Sequence, residues 1–167
     1  MLAEFQVAAE AVGTCVKRFT TIADAVSYVQ ELSGGEPIGA SHLTPKIREA
    51  FDGAVFANPN QSADTRLCLS VARAGIAATG SLLLELGNQK ERAANALSVI
   101  EVVILKASTI VADLYALQNV LADAISSPGT AYLSITTGPS RTADIERVLT
   151  IGVHGPKELH VLVLEGE

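Results

Sequence analysis

Residues 99–105 read Val-Ile-Glu-Val-Val-Ile-Leu, and this β-branched run does most to decide the fold class. Its apolarity is interrupted only by Glu101, and a run of three leucines lies upstream at residues 82–84. Such near-continuous apolarity is typical of strands covered on both faces, which occur mainly in parallel sheets flanked by helices. The run therefore predicts an α/β fold.

Strand and helix patterns alternate on both sides of this run. Further strands are predicted at residues 37–40, 54–57, 76–86, 131–137 and 159–164. Helices are predicted to begin at Thr44 and Ser62, the second burying Leu67 and Cys68, and to span residues 108–125. This order predicts a mostly parallel sheet flanked by helices, with ligands beyond the carboxyl ends of the strands.

The first 33 residues carry two helical patterns. Apolar residues recur at alternating steps of four and three at Phe5, Ala9, Val12, Val16 and Phe19. Thr21 followed by Asp24 resembles a capping box, and Gly34 supplies a stop for the second helix. We expect one domain over residues 1–167 with a helical N-terminal segment over about residues 1–33.

Composition excludes several classes of protein. The chain has 12 Lys and Arg against 18 Asp and Glu, a net charge of −6, which argues against a nucleic-acid or anionic-membrane surface. No apolar run approaches the ~20 residues of a membrane-spanning helix, and no basic leader precedes the first helix. We therefore expect a cytoplasmic protein with no membrane span.

Cys15 and Cys68 are the two cysteines of the chain, and they lie far apart in sequence. Two distant thiols in a cytoplasmic chain are most simply free core residues. An iron–sulfur cluster usually needs about four thiolates in a spaced run, and structural zinc needs Cys and His at close spacing. We expect no metal site and no cofactor in this chain.

Three segments carry a resemblance to a known family. They are Gly-Pro-Ser-Arg-Thr-Ala-Asp-Ile-Glu at residues 138–146, Gly-Val-His-Gly-Pro at residues 152–156, and Ala-Gly-Ile-Ala-Ala-Thr-Gly-Ser at residues 74–81. Together they resemble the LUD-domain family of the lactate-utilisation protein C type, over roughly residues 66–164. The chain departs from that family at Ala78, where Glu is frequent, and at Ser98 and Glu101, where Pro and His are common.

The resemblance implies a role in bacterial growth on L-lactate. Members of the family work beside two iron–sulfur subunits that carry the electrons, so it implies an accessory, non-redox subunit of L-lactate to pyruvate oxidation. Iron–sulfur clusters are then expected on the partner subunits. The resemblance also implies a fold similar to the superfamily of ribose-5-phosphate isomerase, glucosamine-6-phosphate deaminase and the CoA transferases.

The loop after the strand at residues 131–137 offers groups for an anion. Gly138 permits close backbone approach, Ser140 and Thr142 carry hydroxyls, and Arg141 can grip a carboxylate with two hydrogen bonds. These residues predict a site for a small carboxylate or phosphate. In the alternative interpretation, Ser140 or Thr142 caps a following helix while Arg141 pairs with an acidic neighbour.

Asp144, Glu146 and His154 are the further candidates beside this loop. Asp144 and Glu146 share a face on a strand but diverge on a helix, and Asp144 lies nearer the glycine loop. His154 falls in a tight turn before the last strand and changes charge near neutral pH. Asp144 and His154 are the candidate catalytic residues. The alternatives are that Asp144 and Glu146 are charged residues on a solvated face and that His154 is hydrogen-bonded to the backbone of its turn.

Thr79, Gly80 and Ser81 form a second small-residue turn. Its backbone amides could form an anion nest that faces the first loop, and the alternative is an ordinary turn between strands. We expect both turns to converge on one small cationic recess.

Two further functions stay open beside the accessory subunit. The chain could be an independent enzyme for a phosphorylated or CoA-linked substrate, with Glu85 or Glu101 as nucleophile. It could also be a regulatory domain that senses a metabolite without turnover. The expected partners are the iron–sulfur subunits and a small carboxylate or phosphate, and a homo-oligomer is left open.

Overall fold

The computed structural model describes residues 1–58, 60–126, 132–143, 149–151 and 155–166. The helices in this part of the chain are α1 (Leu2–Ala11), α2 (Ile22–Ser33), α3 (Pro45–Ala50), α4 (Gln89–Leu97) and α5 (Gln118–Ser126). The strands are β1 (Cys15–Phe19), β2 (Gly39–Ser41), β3 (Leu67–Ile76), β4 (Ser81–Glu85), β5 (Ile100–Lys106), β6 (Ile110–Val111), β7 (Leu133–Thr136), β8 (Arg141–Ala143), β9 (Leu149–Ile151) and β10 (Glu158–Leu164).

Eight of these described strands form one sheet, in the order β1-β10-β5-β3-β4-β7, with β2 and β6 also paired to β3. The pairs β1–β10, β10–β5, β5–β3, β2–β3 and β6–β3 are parallel, while β3–β4 and β4–β7 are antiparallel. Strands β8 and β9 form a separate antiparallel pair. The prediction of an α/β fold with a mostly parallel sheet is confirmed.

Both faces of the parallel strands are buried, as the apolar run at residues 99–105 predicts. Val103 and Leu105 pack into a cluster that contains Phe5 of α1, whereas Val102 and Ile104 pack into a second cluster with Val29 of α2. Alternate residues of one strand therefore enter two separate cores. Among the described residues, none of the helices has the length and hydropathy of a transmembrane segment.

The first helical pattern, predicted to run from Phe5 to Phe19, is wrong beyond Ala11. Helix α1 ends at Ala11, Gly13 follows with a φ of +92°, and Cys15–Phe19 is strand β1, which pairs with β10. The apolar spacing suits a helix, but the glycine breaks it and the edge of the sheet gives the next residues a strand partner. Helix α2 is as predicted, with Thr21 accepting from the amide of Asp24 at 3.2 Å.

Four other elements differ from prediction. Residues 54–57, expected as a strand, contribute only an isolated bridge between Phe56 and Ile38. The helix expected from Ser62 is one turn of 3-10 helix, and the apolar residues that follow it form strand β3 instead. In residues 108–125 only Gln118–Ser126 is α-helical, because Ile110–Val111 pairs with β3. Residues 87–90 were expected as a turn, but Asn88 caps helix α4 and Gln89 and Lys90 are its first two residues.

Candidate functional site

The loop at residues 137–140, between β7 and β8, lines a cleft of about 440 Å³. Asn95 of α4, Glu101 of β5, Arg141 and the segment Gly155 and Pro156 line the same cleft. The loop and that segment lie side by side, because the amide of Ser140 donates to the carbonyl oxygen of Pro156 at 2.9 Å. Two of the segments that carry the family resemblance therefore meet here.

The structure describes part of the predicted site. Gly138, Ser140 and Arg141 line the cleft, and Thr142 is the middle residue of strand β8. Asp144, Glu146 and His154 lie outside the described residues, so their predicted roles stay predictions. Residues 141–143 form strand β8, so the alternative in which Ser140 or Thr142 caps a helix starting there is wrong.

Gly138 is needed for packing against helix α1. Its φ is +70°, and a Cβ placed on it would lie 2.7 Å from the carbonyl oxygen of Val12. Arg141 adds to this contact, because its Nη2 donates to the same carbonyl oxygen just after α1 ends. The close backbone approach predicted for the glycine is therefore made to the N-terminal helix.

The second turn, at residues 79–81, also packs against α1. A Cβ on Gly80 would lie 2.2 Å from the backbone nitrogen of Ala9. The hydroxyls of Thr79, Ser81 and Thr137 form a chain with two oxygen–oxygen distances of 2.7 Å. Residues 79–81 are not among the residues that line the cleft. The two turns are thus joined through hydroxyl groups, and only the loop at residues 137–140 opens onto the cleft.

Glu101, one of the two glutamates proposed as a nucleophile, lines the cleft. Its side chain is 1% exposed, and its Oε1 accepts hydrogen bonds from Asn95 Nδ2 and, at 3.4 Å, from Ser70 Oγ. Burial raises the pKa of Glu101 from 4.5 to about 7, although both hydrogen bonds act in the opposite direction. Near neutral pH this carboxyl group exists in both protonation states and can donate or accept a proton.

Both cysteines are free, as predicted. Cys68 is fully buried beside Glu101 in the β3–β5 register, and burial together with the Glu101 carboxylate raises the pKa of its thiol. A thiol in that state is a poor nucleophile. Among the residues that the structure describes, no group of three or more His, Cys, Asp or Glu side chains is placed to hold a metal ion.

Glu85, the other proposed nucleophile, forms an ion pair with Arg73 away from the cleft. Its Oε2 lies 3.0 Å from Arg73 Nε and 3.9 Å from His42 Nε2. A carboxylate with a guanidinium partner is stabilised as the anion and loses nucleophilicity. Of the two glutamates, Glu101 alone lines the cleft.

The site belongs to an α/β domain that carries a polar cleft with a buried, protonatable carboxyl group at one wall. The sequence profile of the LUD domain matches residues 47–164. This chain belongs to the LUD domain family.

Two known proteins resemble the chain. Over 91 residues it is 32% identical to lactate utilization protein C of Geobacillus kaustophilus (strain HTA426), an alignment that covers 53% of this chain and 38% of the relative. The chain thus spans well under half of that relative's length. A solved DUF162 family protein from Deinococcus radiodurans superposes with a TM-score of 0.64 at 15% identity, covering 98% of this chain and 95% of the other, which shows a shared fold.

Proposed function

We propose that this chain is an accessory, non-redox subunit of a bacterial system that oxidises L-lactate to pyruvate, and that its cleft binds a small carboxylate. Its similarity to lactate utilization protein C supports the pathway. The observation that carries the proposal is the cleft itself, which places Ser140, Arg141 and Glu101 around one volume of about 440 Å³. Cavities of a few hundred Å³ with a few convergent polar groups are typical ligand sites.

The groups that line the cleft suit a monocarboxylate such as lactate or pyruvate. Arg141 supplies a guanidinium, which binds planar carboxylates in bidentate fashion. Below a pH of about 7, Glu101 is mostly neutral and can donate a hydrogen bond to the bound carboxylate without repelling it. Two carboxyl groups can therefore share the cleft when one of them keeps its proton.

Calorimetric titration with L-lactate, pyruvate and inorganic phosphate at pH 6.5 tests the carboxylate site. We expect Arg141→Ala to weaken binding about tenfold, since a hydrogen bond to a charged group contributes roughly 1.5–3 kcal/mol. Arg18→Ala is the matched control, because Arg18 pairs with Glu165 at 2.8 Å and does not line the cleft. Identical affinities for Arg141→Ala and the wild type would remove Arg141 from the site.

The proposal places the iron–sulfur clusters on partner subunits and none on this chain. Co-purification from a lactate-grown host should recover cysteine-rich iron–sulfur partners with the tagged chain. The purified chain alone should show neither visible cluster absorbance nor dye-linked oxidation of lactate. Robust lactate oxidation by the chain alone would overturn the accessory role.

The position of Glu101 favours a second candidate, an enzyme that acts on an acyl-CoA. In that chemistry the Glu101 carboxylate attacks the thioester carbonyl and the carbon–sulfur bond breaks. The CoA thiolate departs, and a mixed anhydride forms between Glu101 and the acyl group. The thiolate then attacks the glutamyl carbonyl, which forms a Glu101–CoA thioester and releases the acyl group as a free carboxylate. Borohydride reduction followed by peptide mass spectrometry should trap that thioester at Glu101 and find nothing in Glu101→Gln. Absence of a trapped adduct would leave the accessory role standing.

A further inference from the structure

A second cavity of about 580 Å³ lies between the carboxyl end of β2, helix α3 and the start of helix α4. It shares no lining residue with the cleft at residues 137–140. His42, Arg48 and Lys90 line it, so three different segments each contribute one basic side chain. In a chain with a net charge of −6, this is a local concentration of positive charge.

The two permanent cations of this cavity are held by neutral groups. The guanidinium of Arg48 lies over the ring of Phe56, 4.9 Å from its centroid, and Lys90 Nζ donates to Asn60 Oδ1. Within the described part of the chain, neither cation forms an ion pair with a carboxylate. Their charge is therefore oriented but not neutralised.

Two carboxylates near this group, Glu91 and Glu85, are already engaged. Glu91 lines the cavity, but its Oε2 accepts from the amides of Gly87 and Asn88 at 2.9 and 3.3 Å, at the positive end of α4. Glu85 approaches His42 at 3.9 Å and is held more closely by Arg73, at 3.0 Å. The balance of charge facing the cavity stays positive.

His42 has an unusual backbone conformation at this place. Its φ is +48°, and it is the only non-glycine residue with positive φ in the described part of the chain. Non-glycine residues adopt this conformation at a cost of about 1 kcal/mol or more, and such strain concentrates at ligand sites. Here the strained residue follows the last residue of β2 directly and brings an imidazole to the cavity.

We propose that this cavity binds the phosphate group of a small phosphorylated metabolite, with Arg48, Lys90 and His42 as the phosphate ligands. Three basic groups from three segments match the three terminal oxygens of a phosphomonoester better than the two coplanar oxygens of a carboxylate. The cavity is larger than one phosphate needs, and Leu43 and Ala57 give the organic part an apolar wall. This site is independent of the carboxylate cleft.

Titration of the full chain with glycerol 3-phosphate at constant ionic strength tests the proposal, with glycerol as the uncharged probe. Binding should be followed by calorimetry and by the amide NMR signals of His42 and Lys90. We expect Lys90→Met to weaken binding tenfold or more, since it removes a charge-assisted hydrogen bond. Lys17→Met is the matched control, because Lys17 is an exposed lysine on β1 outside the cavity.

Binding in three variants distinguishes a separate phosphate site from the cleft and from general charge attraction. Selective binding of glycerol 3-phosphate that is lost in Lys90→Met, kept in Lys17→Met and kept in Arg141→Ala supports a separate phosphate site. Equal losses in both lysine variants would indicate general charge attraction and overturn it, as would no binding at about 10 mM ligand. Loss in Arg141→Ala with no effect of Lys90→Met would place the phosphate in the cleft and overturn the second site, since Arg141 lines the cleft and not this cavity.

Discussion

Glu101→Gln should make the stability of the protein much less dependent on pH. In the folded chain, burial keeps the Glu101 carboxyl protonated up to a pH of about 7, against 4.5 for the same group in water. Glutamine keeps the shape of the neutral acid and an oxygen that can accept from Asn95 and Ser70. The substitution therefore removes the titration while retaining the acceptor.

The sign and size of the effect follow from linkage between proton binding and folding. Because the folded-state pKa is raised, Glu101 contributes stability that is complete below pH 4.5 and lost as pH rises through 7. At 1.36 kcal/mol for each pKa unit, the wild type loses about 3 kcal/mol across this window. The variant lacks this loss, so its stability relative to the wild type should rise by about 3 kcal/mol between pH 4.5 and pH 8.

Urea unfolding followed by circular dichroism at pH 4.5, 6, 7 and 8 measures this difference directly. Other titrating groups are common to both chains, so their contributions cancel in the comparison. Glu36→Gln is the control for exchanging a carboxyl group for an amide at an exposed position. A difference between Glu101→Gln and the wild type that does not change with pH would refute the argument that Glu101 is buried in its neutral form.

Three further substitutions test the packing against α1 and the cap of α4. Gly80→Ala should lower the free energy of unfolding by more than about 2 kcal/mol, because the new Cβ would lie 2.2 Å from the backbone nitrogen of Ala9. Gly34→Ala is the control, since Gly34 also has positive φ but open space around it, and it should lower the free energy of unfolding by about 1 kcal/mol. Asn88→Ala should cost about 1 kcal/mol, because Asn88 and Glu91 form a capping box at the start of α4. Urea unfolding checks all three, and equal losses for the two glycine variants would contradict the proposed contact with α1.

The sheet was predictable because its central strands carry an unambiguous pattern. Continuous apolar residues in β5 can be buried only if both faces are covered, and this requirement fixes the fold class. Strand β1 was not predictable, since Val16 and Phe19 continue a helical spacing and only the pairing with β10 makes them a strand. Helix α4 had a signal in Asn88 and Glu91, but the adjacent Gly87 favoured a turn.

The site was predictable only where the family resemblance reached it. The resemblance led to the loop of Gly138 and Arg141, yet the contact of both residues with α1 depends on a segment more than 120 residues away in sequence. Glu101 had one local signal, a charge inside an apolar strand. Its importance follows from its depth and from Asn95 and Ser70, which no local pattern reveals.

The protonation state of Glu101 decides which ligands the cleft can accept. Burial raises the pKa of Glu101 to about 7, so below that pH the carboxyl group is mostly neutral and offers an O–H donor to an anion. Above a pH of about 7 Glu101 becomes an anion and would repel a bound carboxylate.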